Sequence, residues 1–83
     1  MMIKIRFFAM LKTKVGREEV NLSVPENISM DKLKDILKNE FPAVAEFIDR
    51  KNIMISVNQE FADKNTIIRN GDEIALLPPF SGG

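Results

Sequence analysis

The last six residues, Pro78-Pro79-Phe80-Ser81-Gly82-Gly83, hold the residue types in this 83-residue sequence that point most directly to chemistry. Proline has no N–H for a ladder, so the pair ends whatever strand precedes it and keeps the chain extended. Gly82 and Gly83 have no side chains, and a diglycine can thread a channel that would reject any β-carbon. The carboxylate of Gly83 is then the uncrowded reactive group. A carboxylate is a poor electrophile and needs activation. Adenylation by ATP would give an acyl-adenylate with a good leaving group, and a persulfide sulfur could displace AMP and leave a thiocarboxylate. Two glycines at a chain end arise by chance in roughly one sequence in 200 at average glycine usage, so the pair gains its weight from its surroundings.

The rest of the composition excludes more than it offers. There is no cysteine and no histidine. Zinc and iron–sulfur sites built on those ligands are excluded, as are a thiolate nucleophile, a disulfide scaffold and a Ser–His relay. No metal site is expected, and sulfur carried on Gly83 could not be lost to an internal thiol. The internal glycines, Gly16 and Gly71, are isolated, so no phosphate-cradling loop is present. The acidic pairs Glu18-Glu19 and Asp72-Glu73 are adjacent in sequence. On a strand such neighbours point to opposite faces and do not converge on one substrate. The formal net charge is zero, which argues against nucleic acid or a membrane surface as partner. No apolar run approaches the ~18 residues of a membrane span. Met1 to Phe8 alternates charged with apolar side chains, unlike a signal peptide, so a cytoplasmic location is expected.

The elements that must present the tail can be read from periodicity. Met2 to Met10 reads as a strand, with Ile3, Ile5 and Phe7 on one face and Lys4, Arg6 and Phe8 on the other. The basic run Lys12, Lys14, Arg17 reads as a solvated loop, or as a docking edge for an acidic partner. Gly16 permits a turn into a second strand, Glu19 to Val24, in a hairpin with the first. Ser29 is an N-cap candidate, with Asp31 in the first turn. Met30, Leu33, Ile36, Leu37 and Phe41 then form one apolar helical stripe. Pro42 ends that helix, and Ala43 to Ile48 can form a short second one. Ile53, Ile55 and Val57 mark a third strand, Asn58-Gln59-Glu60 a turn, and Phe61 to Ile68 an irregular stretch with a short edge strand. Asn70-Gly71-Asp72 is a strong turn signal before the last strand, Glu73 to Leu77.

The order strand, strand, helix, strand, short strand, strand asks one main helix to cover one face of one mixed sheet. A right-handed crossover places the last strand beside the first and parallel to it. The class is α+β, in the β-grasp arrangement of ubiquitin-like proteins. Residues 1–77 form the domain and residues 78–83 a flexible tail. With Ile3, Ile5, Phe7, Ile74 and Leu76 packed under the helix, the opposite face presents Phe8, Ala75 and Leu77 near the tail root, an apolar patch suited to partner docking. The rival placement folds Phe8 under the Leu11–Val15 loop.

With those residues in view, the chain resembles the small subunit of molybdopterin synthase, the MoaD family. Ile3-Lys4-Ile5-Arg6-Phe7-Phe8-Ala9, Val57-Asn58-Gln59-Glu60, and above all Asn70-Gly71-Asp72-Glu73 running through to Pro78-Pro79-Phe80-Ser81-Gly82-Gly83 carry the likeness. Gln59 stands where a glycine is common, which implies a different turn type, and Phe80 where a smaller valine is common. The resemblance implies a cycle. An E1-like adenylyltransferase activates Gly83 with ATP, and a sulfurtransferase supplies the sulfur. The tail, Pro78 to Gly82, then enters the large subunit, where the sulfur attacks cyclic pyranopterin monophosphate. Two small and two large subunits make a heterotetramer. The chain is non-catalytic alone, holds no cofactor, and serves as the sulfur-donating subunit of a transferase. Other readings remain open: a sulfur carrier for thiamine or tRNA thiolation, a ubiquitin-like protein modifier, or a binding module with an inert tail.

Overall fold

The structure, a computed structural model, describes residues 1–78, and the expectations placed on Pro79, Phe80, Ser81, Gly82 and Gly83 lie outside the described residues. Strand β1 spans Met2–Phe7 and buries Ile3, Ile5 and Phe7. It ends at Phe7 rather than Met10, because the backbone turns off the sheet at Ala9. That residue holds φ 53, ψ −131, and the Leu11 N–H donates to the Phe8 carbonyl at 3.1 Å. Such values belong to a type II′ turn, with Ala9 at the position that favours glycine.

Directly after this turn comes a helix, α1 (Met10–Val15), in place of the expected loop. Leu11 is fully buried, and Val15, one helical turn on, packs against the core. Lys12 and Lys14 stay exposed between them. The run of basic residues masks an apolar pair at a spacing of four, which is the spacing of one helix face. Gly16, at φ 83, closes the helix by donating its N–H to the Lys12 carbonyl at 2.9 Å.

Strand β2 (Glu19–Ser23) returns antiparallel to β1, pairing Ile3 with Leu22 and Ile5 with Val20. Helix α2 (Met30–Glu40) starts at Ser29, whose Oγ accepts the Lys32 N–H at 3.3 Å, and buries Met30, Leu33 and Leu37. Phe41 leaves the helical region at φ −129, ψ 77, as the residue before Pro42 must. Its ring meets the Phe7 ring edge-on at 5.0 Å. Pro42 then opens helix α3 (Pro42–Asp49), a position where its missing N–H costs nothing.

Strands β3 (Met54–Val57) and β4 (Glu60–Phe61) form a hairpin across Asn58-Gln59. Both turn residues have positive φ, 51 and 72, as a type I′ turn requires. Glutamine thus occupies the left-handed position itself. Gly71, at φ 85, turns the chain into β5 (Glu73–Leu77).

The sheet order is β2-β1-β5-β3-β4. β5 runs parallel to β1 and antiparallel to β3, so it is the middle strand of the five. Helices α2 and α3 cover the face that carries Ile3, Ile5, Ile74 and Leu76, all of them buried. This is the expected α+β, β-grasp arrangement.

Candidate functional site

The site is built at the end of β5. The chain leaves the sheet from its middle strand at Leu77, and Pro78 is half-buried beside that exit. The ladder holds the exit on both sides. Leu77 is registered with Met54 of β3, and the Leu76 carbonyl accepts the Phe8 N–H at 3.1 Å. Gly83 and the tether from Pro79 to Gly82 lie outside the described residues.

Register assigns the face around that root. Arg6 pairs with Ala75, Ala75 with Ser56, and Ser56 with Phe61, and paired residues share a face. One row on the helix-free face therefore reads Glu19, Arg6, Ala75, Ser56, Phe61 from edge to edge. Nearer the exit lie Phe8, Leu77 and Met54. The structure thus brings together the predicted trio: Phe8, Ala75 and Leu77 are half-buried, share this face and take no part in the core under the helices. Phe8 does not fold beneath α1; the Arg6 guanidinium lies over its ring, 5.0 Å from the centroid.

Two residues of this face escape the sequence reading, Met54 and Phe61. Phe61 is 72% exposed, an unusual position for a large aromatic side chain. The signal is nonetheless present in the sequence. Ile55 and Val57 face the core, so Met54 and Ser56 must face away, and a two-residue turn at Asn58-Gln59 sets Phe61 opposite Ser56.

The other end of the face is polar and internally satisfied. Lys4 meets Glu19 at 3.7 Å and Arg6 meets Glu73 at 3.1 Å. At the start of β5, Asn58 donates to Asp72 at 2.9 Å and accepts the Glu73 N–H at 3.0 Å. Asp72 also accepts the Arg69 N–H at 2.8 Å. Asn58, Arg69 and Asp72 border an open cleft of about 390 Å³, but these polar contacts brace the turn and are not aimed at a ligand. Among the described residues no cluster of three or more acidic side chains could hold a metal ion, and no helix is long and apolar enough to cross a membrane.

Comparison with known proteins agrees with this geometry. Residues 5–83 match the ThiS family. A molybdopterin synthase sulfur carrier subunit from Arabidopsis thaliana is 31% identical over 81 residues, covering 98% of this chain and 82% of the relative. The crystal structure of SAMP1 from Haloferax volcanii superposes with a TM-score of 0.86 at 28% identity, with both chains fully covered. A complex of subunits 1 and 2 of the molybdopterin-converting factor from Helicobacter pylori contains a chain 30% identical, fully covered on both sides, at a TM-score of 0.71.

Proposed function

The chain belongs to the ThiS family, and from that membership we propose that it is the sulfur carrier subunit of a molybdopterin synthase. The observation that carries the reading is the end-to-end likeness to sulfur carrier subunits of that enzyme, joined to a diglycine sequence beyond the exit of a central strand.

The chemistry resides at Gly83. Its carboxylate attacks the α-phosphate of ATP on an adenylyltransferase, forming an acyl-adenylate and releasing pyrophosphate. A sulfurtransferase persulfide attacks the acyl carbon and expels AMP. Cleavage of the S–S bond by a second thiol leaves the thiocarboxylate and a disulfide. Pro78 to Gly82 carry that sulfur into the large subunit, where it is donated to cyclic pyranopterin monophosphate. Docking uses the face at the tail root, Phe8, Ala75 and Leu77, extended by Met54 and Phe61. The assembly is a heterotetramer of two small and two large subunits, acting in the cytoplasm.

The test is intact mass after incubation with the adenylyltransferase, ATP and a sulfur donor. Replacement of one oxygen by sulfur, lost when Gly83 is deleted, is expected. A chain that forms neither adenylate nor thiocarboxylate would refute the reading. Phe8→Asp is expected to weaken binding to the large subunit while leaving the fold intact, and unchanged affinity in a titration would dismiss the docking face.

A second reading, covalent modification of other proteins through the same activated glycine, is favoured by the likeness to solved structures of small archaeal modifier protein 1. It predicts adducts to lysine that survive reducing agent. The carrier reading alone predicts none.

A further inference from the structure

We propose that Arg6 is a positioning residue, holding the Phe8 ring against the sheet so that the docking face at the tail root is ordered before a partner arrives. The inference rests on the proposed docking of this face to the large subunit. Phe8 directly follows β1 and is the last residue there to bond the sheet: its N–H reaches the Leu76 carbonyl, and the next residue, Ala9, turns the chain away. No side chain further along β1 can therefore flank the ring. An aromatic side chain left free at a sheet end must lose rotamer freedom on binding, which weakens association.

Arg6 removes that freedom in advance. It lies two residues before Phe8, hence on the same face. The guanidinium covers the ring at 5.0 Å, and its Nη1 lies 3.1 Å from Oε1 of Glu73 on the neighbouring strand. Its face and one edge are thus both engaged within the chain. The carboxylate anchors one nitrogen of the guanidinium through a charge-assisted hydrogen bond, and the anchored guanidinium restrains the ring. About 37% of the Arg6 side chain remains exposed, so the pair sits at the surface and the fold does not depend on it.

The experiment is a double-mutant cycle read as the Kd of the unmodified full chain for the large subunit of its own molybdopterin synthase. Arg6→Ala is expected to weaken binding about fivefold in the native background and to add nothing in the Phe8→Ala background. Equal losses in both backgrounds would show that Arg6 touches the partner directly and would overturn the inference, as would no loss in either. Normal binding by Phe8→Ala alone would remove the docking reading itself, and with it this one. A carrier that docks through Phe8 with additive effects would remove only the role of Arg6. Arg6→Lys keeps the charge but not the flat plate, so it should bind more weakly than the native chain with an unchanged unfolding midpoint. In the free chain, the Arg6 side-chain protons should resonate upfield under the Phe8 ring current and return to ordinary positions in Phe8→Ala. Unshifted resonances in the native chain would also overturn the inference.

Discussion

Ala9 and Gln59 carry backbone conformations that glycine adopts more readily, at φ 53 and φ 72. Each is a turn position where a β-carbon crowds the neighbouring carbonyl. The strain has a different consequence at the two places. At Ala9 it turns the chain off the sheet directly after Phe8, so the ring marks the rim of the proposed docking face. At Gln59 it closes the hairpin that sets Phe61 opposite Ser56. Replacing either by glycine relieves the crowding and adds entropy to the unfolded chain, and the first effect is the larger in the left-handed region. Gln59→Gly is therefore expected to stabilise the fold by about 0.5–1 kcal/mol in urea unfolding. Ala9→Gly should act in the same direction, and a lowered midpoint in either would show that the turn is unstrained. Nothing in the local sequence announces the Ala9 turn. Alanine is a poor marker of positive φ, which is why β1 reads three residues too long.

At the scale of elements, most of the fold was legible because two periods dominate the chain. Alternation in Ile3, Ile5, Phe7 and again in Ile74, Leu76 gives β1 and β5 their buried faces, and the 3.6 period gives α2. Short elements were harder to read. In α1 two core-packed apolar residues, Leu11 and Val15, sit among basic ones, and in β4 two residues pair through a turn. Both depend on tertiary contacts more than on local pattern. The core beneath α2 is tight, and Leu33 is fully buried. Leu33→Ala should cost about 2–5 kcal/mol, measured by chemical denaturation. A second clasp joins α2 to α3, where the Lys38 ammonium pairs with Asp49. The hydrogen bond to Asp49 raises the Lys38 pKa above its ordinary value, against a smaller desolvation effect that lowers it. A raised folded-state pKa means that the contribution is complete below the ordinary lysine value and is lost as pH rises through the folded one. The difference in thermal midpoint between the native chain and Asp49→Asn should therefore shrink in strongly alkaline solution. A difference that grew with pH would contradict the pairing. The effect will be small, because the pair lies at the surface.

For the molecule as a whole, the helix-free sheet face divides into two halves, and the division sets how association should respond to salt. Near the tail root it is apolar, with Phe8, Leu77 and Met54 flanking the row that ends in Phe61. Toward the start of β5 it is charged, but Lys4 with Glu19 and Arg6 with Glu73 neutralise each other within the chain. The net charge of the sequence is zero. A face of this kind offers little long-range field to steer a partner, so the proposed docking must draw its affinity from apolar area at the root. The Kd for the large subunit should therefore change by less than about threefold between low and physiological ionic strength, where screening would erode a charge-driven complex far more. Phe61→Asp should weaken it by roughly tenfold or more, because that ring is the most exposed large apolar side chain on the face and the proposed docking would bury it, where a carboxylate cannot replace an aromatic anchor. A steep salt dependence combined with a mild Phe61 effect would shift the docking surface to the basic edge of Lys12, Lys14 and Arg17, and charge reversal at Lys12 and Lys14 would then be the variant that abolishes binding.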